Sequence, residues 1–342
     1  MSTSDWMRNL PDTKWLRQIV IPGSHDAGVY GTAQVILRAE SLVKRSYTVC
    51  QHSDFAHQAL AGSRFFDCRV FFKKIPRDQR VSPAKKYENV LGHFAREKGL
   101  LGKSPQPTMG GFGGALYAVL GQAFDFIVGH PSEFVILRFS HTYHPTECVD
   151  EIKQIVASEP TYASAVYKQP GNIAAKSIGE LRGKVIMVFD EQFNHHITPT
   201  EGIHRFKKYS DGLSHIDGLS TCGTFSSSMS MSKVHEGASG AVDKHLTHPG
   251  DPGTAHLHFV YWQQTAGMLG EKDVFRTTTS ARGNAPWSGG AHANLDTFMT
   301  ELSQKRSSPS GKVPANVISH DFVTADTCKK IIRLNPECSN LH

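Results

Sequence analysis

The chain has no run of 18 apolar residues, so it offers no candidate for a membrane-spanning helix. Its opening, MSTSDWMRNLPDTKW, holds no apolar core of the length that a secretory signal needs. The six cysteines (50, 68, 148, 222, 328 and 338) form no CxxC pair and no zinc-like spacing, which argues against a zinc ribbon and a disulfide framework. Cys68, inside an apolar run, reads as a small buried hydrophobe, and pairing of Cys328 with Cys338 stays open. Across 342 residues there is no internal repeat and no Pro/Ser-rich linker, so residues 1–342 are expected to form a single domain. The chain is expected to be soluble and monomeric. The sequence leaves its compartment open: cytoplasmic, exported without a visible signal, or written here in mature form.

What is present is an ordinary globular composition, with 39% hydrophobic and 20% charged residues. A net charge of +6, spread along the chain, reads as a solubility feature, and no nucleic-acid partner is expected. The densest basic stretch, 73–86, reads either as a solvated loop or as a contact for an anionic membrane surface.

Apolar runs at 19–21, 64–72, 90–94, 134–139, 183–189, 257–262 and 316–318 read as strands. Helical spacing recurs at 31–45, 51–61, 115–128, 146–158, 292–306 and 325–334. The Gly/Pro-rich stretch 99–114 reads as an irregular rim loop. Residues 194–256 show little periodicity. Nine of the 19 histidines fall between His195 and His258. Their spacings match no HxxxH-plus-carboxylate pattern, so the stretch is expected to be a loop-rich surface and not a metal site. Strands alternating with helices predict an α/β fold, a single distorted (β/α)8 TIM-type barrel with long loop insertions.

The titratable residues sit where such a barrel puts its chemistry. In QIVIPGSHDAG (18–28) an apolar strand, broken by Pro22 and Gly23, delivers Ser24, His25 and Asp26. Asp67 and Arg69 lie two apart in RFFDCRVFF, hence on one face of a strand, and would be costly to bury unpaired. His93 ends one apolar run, and His320-Asp321 ends another. Two histidines, an arginine and carboxylates on one barrel face suit phosphodiester cleavage. One imidazole acts as base and the other as acid, while the guanidinium binds the phosphoryl group.

IPGSHDAG (21–28), RFFDCRV (64–70), LGH (91–93), HPSEFVILRFSHTY (130–143), GKVIMVF (183–189), VYWQQT (260–265) and NVISHDFV (316–323) together resemble the phosphatidylinositol-specific phospholipase C X-domain family. The resemblance implies that His25 is the general base on the inositol 2-hydroxyl and His93 the acid that protonates the departing diacylglycerol. It makes Arg69 the stabiliser of phosphoryl charge, Asp321 the partner of His25, and Asp26 the support of His93. A cyclic inositol phosphate would form first. Calcium-dependent members place asparagine after the first histidine and acidic residues near positions 67 and 69. Asp26 and Arg69 depart from that pattern and imply no metal and no cofactor, as in the bacterial and trypanosome-type enzymes. Arg138, His141, Asp190 and Trp262 are candidates to face the head group, and Trp287, read as an exposed loop aromatic, is a candidate membrane contact. The alternatives are a phosphodiesterase for another phospholipid or glycerophosphodiester, and a catalytically silent membrane-binding module.

Overall fold

The fold follows from a computed structural model. It describes residues 2–30, 34–35, 45–75, 77–80, 82, 86–96, 107–208, 217–223, 225–247, 256–265, 274–306 and 312–341.

Eight parallel strands close into a barrel. They are β1 (Ile21–Ser24), β3 (Phe65–Lys74), β6 (Phe134–Ser140), β7 (Lys184–Phe189), β8 (Ile203–Lys208), β9 (Leu219–Cys222), β10 (Leu257–Tyr261) and β11 (Val317–His320). Closure comes from β1, which pairs with β11 on one side and β3 on the other. The remaining strands, β2 (Gln34–Val35), β4 (Tyr87–Arg96) and β5 (Pro107–Ala115), extend the far half of β3 as an antiparallel arm. That arm carries His93 to the barrel mouth.

The helices are α1 (Phe55–Ala61), α2 (Leu116–Gly129), α3 (Pro145–Ser158), α4 (Pro160–Ala165), α5 (Ile178–Leu181), α6 (Met231–Thr247), α7 (Val274–Thr279), α8 (Ala291–Lys305) and α9 (Ala325–Ile332). Alternation along the strands sends Phe65, Ile136, Val188, Phe259 and Val317 into one apolar cluster. Phe66, Val135, Leu137 and Met187 pack outward with α2 and α3. Each such fully buried side chain contributes roughly 1.5–3 kcal/mol. The short helical turn Thr3–Asn9 covers the strand-start mouth: Trp6 donates its indole N–H to the Gly62 carbonyl at 3.1 Å, just ahead of β3.

The structure corrects several expectations. Pro22 and Gly23 do not break the first strand but form its middle, opposite Ile318 and Ser319. Val20 stays outside the ladder because the Asn335 side chain takes both its backbone groups, at 2.9 and 2.8 Å. Most of the helix expected at 31–45 lies outside the described residues, and its Gln34 and Val35 pair with β5 as a strand. The supposed rim loop at 99–114 contains β5, held by its pairing with β4 despite its glycines, while 97–106 lie outside the described residues. Residues 194–256, read as loops, contribute β8, β9 and α6. Met231, Val234, Ala238 and Val242 of α6 are buried at helical spacing that Ser, Gly and His residues thin out. In 73–86, β3 runs on to Lys74 and a turn covers Arg77–Gln79, while 76, 81 and 83–85 are not described. All six cysteines are free thiols, including Cys328 and Cys338.

Candidate active site

At the strand-end face, β1 stops at Ser24 and the chain turns tightly. The His25 N–H bonds the His320 carbonyl at 3.2 Å, and the Ala27 N–H bonds the Asp67 carbonyl at 2.9 Å. Asp26 holds φ +43° inside this turn, a left-handed conformation that costs a non-glycine residue on the order of 1 kcal/mol. The turn also brings Gly28 against the arm: a Cβ at Gly113 would stand 1.9 Å from the Gly28 carbonyl oxygen. Backbone-to-backbone packing at that distance admits only glycine, and it sets His93 beside His25.

Asp26 is the hub. Its side chain is fully buried, with Oδ1 2.8 Å from Arg69 Nε, and Oδ2 3.3 Å from His25 Nε2 and 3.4 Å from His93 Nδ1. Arg69 also meets Asp67 at 3.1 Å and directs an NH2 proton at His25 Nε2, 3.0 Å away. On the other side His25 Nδ1 donates to Asp321 Oδ1 at 2.8 Å. These contacts define one tautomer of His25: the proton sits on Nδ1, and the Nε2 lone pair faces the arginine. The two imidazole centroids are 6.0 Å apart with planes at 73°.

Burial pulls His25 down, but the charges of Asp26 and Asp321 and the Asp321 hydrogen bond more than offset it and leave it above the ordinary histidine value. His93 goes the other way: burial lowers it, Asp26 resists, and Arg69 and His25 add to the lowering. Asp67, although buried, is held well below the carboxylate range by Arg69 and Arg138. The two environments thus shift the histidines in opposite directions, favouring imidazolium at His25 and neutral imidazole at His93.

His25, Asp26 and Asp67 have the donor atoms to hold a cation. Arg69 already bridges all three as a fixed positive charge, so a divalent ion there would have to displace the guanidinium.

No family model matches the chain. A Staphylococcus aureus protein named 1-phosphatidylinositol phosphodiesterase is 25% identical over 191 residues, 54% of this chain and 50% of that protein. A human PI-PLC X domain-containing protein 2 is 30% identical over 158 residues, 41% of this chain and 44% of that one. The chain thus spans about half the length of the curated relatives it matches. The solved phosphatidylinositol-specific phospholipase C from Listeria monocytogenes superposes with a TM-score of 0.58 over 98% of this chain and 99% of its own, at 16% identity. At that identity the likeness carries the fold alone. The chain is thus similar in sequence to proteins named 1-phosphatidylinositol phosphodiesterase and PI-PLC X domain-containing protein.

Around this centre the other sequence candidates divide. Arg138 lies beside Asp67 on the next strand, with its guanidinium 3.9 Å from that carboxylate and 4.4 Å over the Phe206 ring. His141, at φ +54°, donates its backbone N–H to Asp190 at 3.2 Å. Burial and Arg69 push its imidazole down to about 4, and burial pushes Asp190 up to about 6. These three line one side of the mouth.

Trp262 does not. It is fully buried, donates its indole N–H to the Ala291 carbonyl at 2.9 Å and stacks on Phe298 at 4.1 Å, so it is core and offers nothing to a head group. Trp287 is likewise not an exposed loop aromatic: half-buried, it stacks on His235 at 3.6 Å and meets Trp262 edge-on.

Sequence reasoning missed Cys50, whose sulfur is 3.2 Å from His93 Nδ1 and 3.7 Å from Asp26 Oδ2. Burial and the Asp321 and Asp26 charges keep it a neutral thiol. It also missed Gln51, which ties the His25 and Val323 backbones together through Nε2 and Oε1, at 2.8 and 2.9 Å. No local pattern marks either residue, since their partners are far away in sequence.

Proposed function

We propose that the chain is a phospholipase C that cleaves the phosphodiester of phosphatidylinositol, or of a glycosylated phosphatidylinositol, without a metal cofactor. The observation that carries this reading is the line Asp321–His25–Arg69, with His93 across Asp26 from it. The names of the homologues support the substrate class.

His25 Nε2 removes the proton from the inositol 2-hydroxyl, and the freed oxygen attacks the adjacent phosphorus. Asp321 stabilises the imidazolium that forms. Arg69 swings its NH2 donor from His25 to the phosphoryl oxygens, where charge accumulates. His93, held from behind by Asp26, protonates the departing glycerol oxygen, so diacylglycerol leaves and inositol 1,2-cyclic phosphate remains. Slower hydrolysis reverses the two histidine roles. Arg138, His141 and Asp190 face the inositol hydroxyls.

The chain works as a monomer at a membrane surface. Phe275, 42% exposed and packed on His52 and Phe322 next to Asp321, takes the membrane-facing role first given to Trp287. Among the described residues no helix is long and apolar enough to cross a membrane.

The test is incubation with phosphatidylinositol vesicles in excess chelator, with the inositol product followed by phosphorus NMR. Cyclic phosphate in chelator supports the reading, and activity only after calcium is restored overturns metal independence. Cleavage of glycerophosphodiesters alone would favour the second enzyme reading, and binding to vesicles with no turnover the silent module.

A further inference from the structure

On the outer face of the barrel the His-rich segment builds a second cluster that the proposed chemistry does not use. Cys222 ends β9 and points outward. His258, opposite it in the β9–β10 register, is on the same outer face. α6 lies over this face, and His245 continues its buried stripe of Val234, Ala238 and Val242. His256 enters just before β10. The sulfur of Cys222 and one ring nitrogen each of His245 and His256 lie within 4.8 Å of one another. A tetrahedral zinc holds such atoms about 3.3–3.8 Å apart, so a modest closure of side chains is enough.

The hydrogen bonds around the cluster have the form of a metal site's outer shell. His245 Nε2 gives its proton to the Val313 carbonyl at 3.2 Å, and its buried Nδ1 has no partner. His258 is fully buried and stacks on His245 at 4.6 Å. It gives its Nδ1 proton to the Pro314 carbonyl at 2.8 Å, and its buried Nε2 is also unpartnered. For His245, a backbone carbonyl on one ring nitrogen and a bare lone pair on the other is how ligating histidines are oriented, whereas His258 lies outside the group of candidate ligand atoms. Left as it is, each bare buried nitrogen is a desolvated acceptor that weakens the fold.

We propose that Cys222, His245 and His256 form a site for a zinc-class cation, with water in the fourth position and His258 as a stacked wall. One sulfur and two imidazoles are the donor set of borderline-soft metals and not of calcium or magnesium. On binding, the Cys222 S–H bond breaks, the sulfur keeps the electron pair as thiolate and one proton leaves to solvent. The ion would join β9, β10 and α6, a structural part distinct from catalysis.

The test is equilibrium titration of chelator-treated protein with zinc against a chromophoric competitor, and with cobalt followed by absorption. Expected are one zinc per chain, a thiolate-to-cobalt charge-transfer band, a higher melting temperature with zinc, and a loss of affinity of at least about 100-fold in Cys222→Ser, more than loss of an outer-shell contact costs. His256→Gln is the second variant should the serine chain fold poorly, and it is expected to lose the same site. Absence of binding, or a charge-transfer band lost in Cys50→Ser and kept in Cys222→Ser, would overturn the proposal, the latter by putting the metal at the catalytic mouth.

Discussion

Two arginines bracket the start of β3 and are held in opposite ways. Arg64 is fully buried, in a 2.8–2.9 Å pair with Glu133 through Nε and NH2. Its remaining donors go to the carbonyls of Ala59, Ser63, Thr3 and Ser4. Arg69, one strand face further along, is 17% exposed, and its partners Asp26, Asp67 and His25 are also the groups of the proposed chemistry. The first arginine has no donor to spare and staples the N-terminal turn to the barrel floor. The second is only provisionally satisfied, because a phosphoryl group offers it better acceptors than an imidazole nitrogen. On the proposed reading, the same residue type, a few positions apart, serves stability where its shell is closed and chemistry where it is open.

The comparison breaks most visibly on the open side. His25→Ala should lower phosphatidylinositol cleavage by about 10^2- to 10^4-fold, roughly 3–5 kcal/mol of barrier, while unfolding stays a single cooperative transition. Intact turnover would remove His25 from the mechanism. On the closed side, Glu133→Gln should do the reverse. It strands the Arg64 charge in the interior and costs about 3–5 kcal/mol by urea denaturation, with turnover per folded molecule within about twofold of the parent. Equal losses in rate and stability for either variant would dissolve the distinction between the two clusters.

The open cluster was legible in the sequence and the closed one was not. A charged residue that ends an apolar run stands out locally, so His25, Asp26, Arg69, His93 and Asp321 could be collected before their positions were known. Arg64 and Glu133 lie in quoted motifs, yet only barrel closure tells a reader that they meet. β8 and β9 were missed for a related reason: each is short, with ladder partners on both sides that make local propensity unimportant. α6 was hidden because its buried face is completed by His245, which counts as polar in any periodicity. Trp262 was misplaced because motif membership says nothing about which face of a strand a residue takes.

Arg69→Lys sharpens the contrast at a smaller scale. The charge is kept, but a single ammonium cannot span Asp26, Asp67 and a phosphoryl oxygen with planar, divergent donors. Turnover should fall by about 10^2- to 10^3-fold, the cost of losing one oriented donor to an oxyanion. Stability should change by less than about 1 kcal/mol, since both carboxylates retain a cation. A loss of stability comparable to that of Glu133→Gln would place Arg69 among the structural staples after all.

The smallest effect concerns pH and is carried by Asp190 at the rim of the open cluster. Burial raises it to about 6, against backbone N–H bonds from His141 and Gln192 and the charge of Arg138, whereas an unfolded aspartate titrates near 3.8. Between those values the folded chain holds a proton that the unfolded chain has released. Stability therefore falls as pH rises from about 4 to about 6 and is level above that. A shift of this size corresponds to roughly 3 kcal/mol in a dry site, and partial exposure reduces it to on the order of 1–2 kcal/mol. Asp190→Asn removes the titration but keeps an oxygen to accept the His141 N–H. Urea unfolding of parent and variant at pH 4 and pH 7.5 should show the variant gaining on the parent only at the higher pH. A difference that stays constant across the two conditions would mean that the Asp190 carboxylate is as well solvated as a surface one. The open mouth would then owe its pH response to its other titratable groups, the histidines His25, His93 and His141 among them.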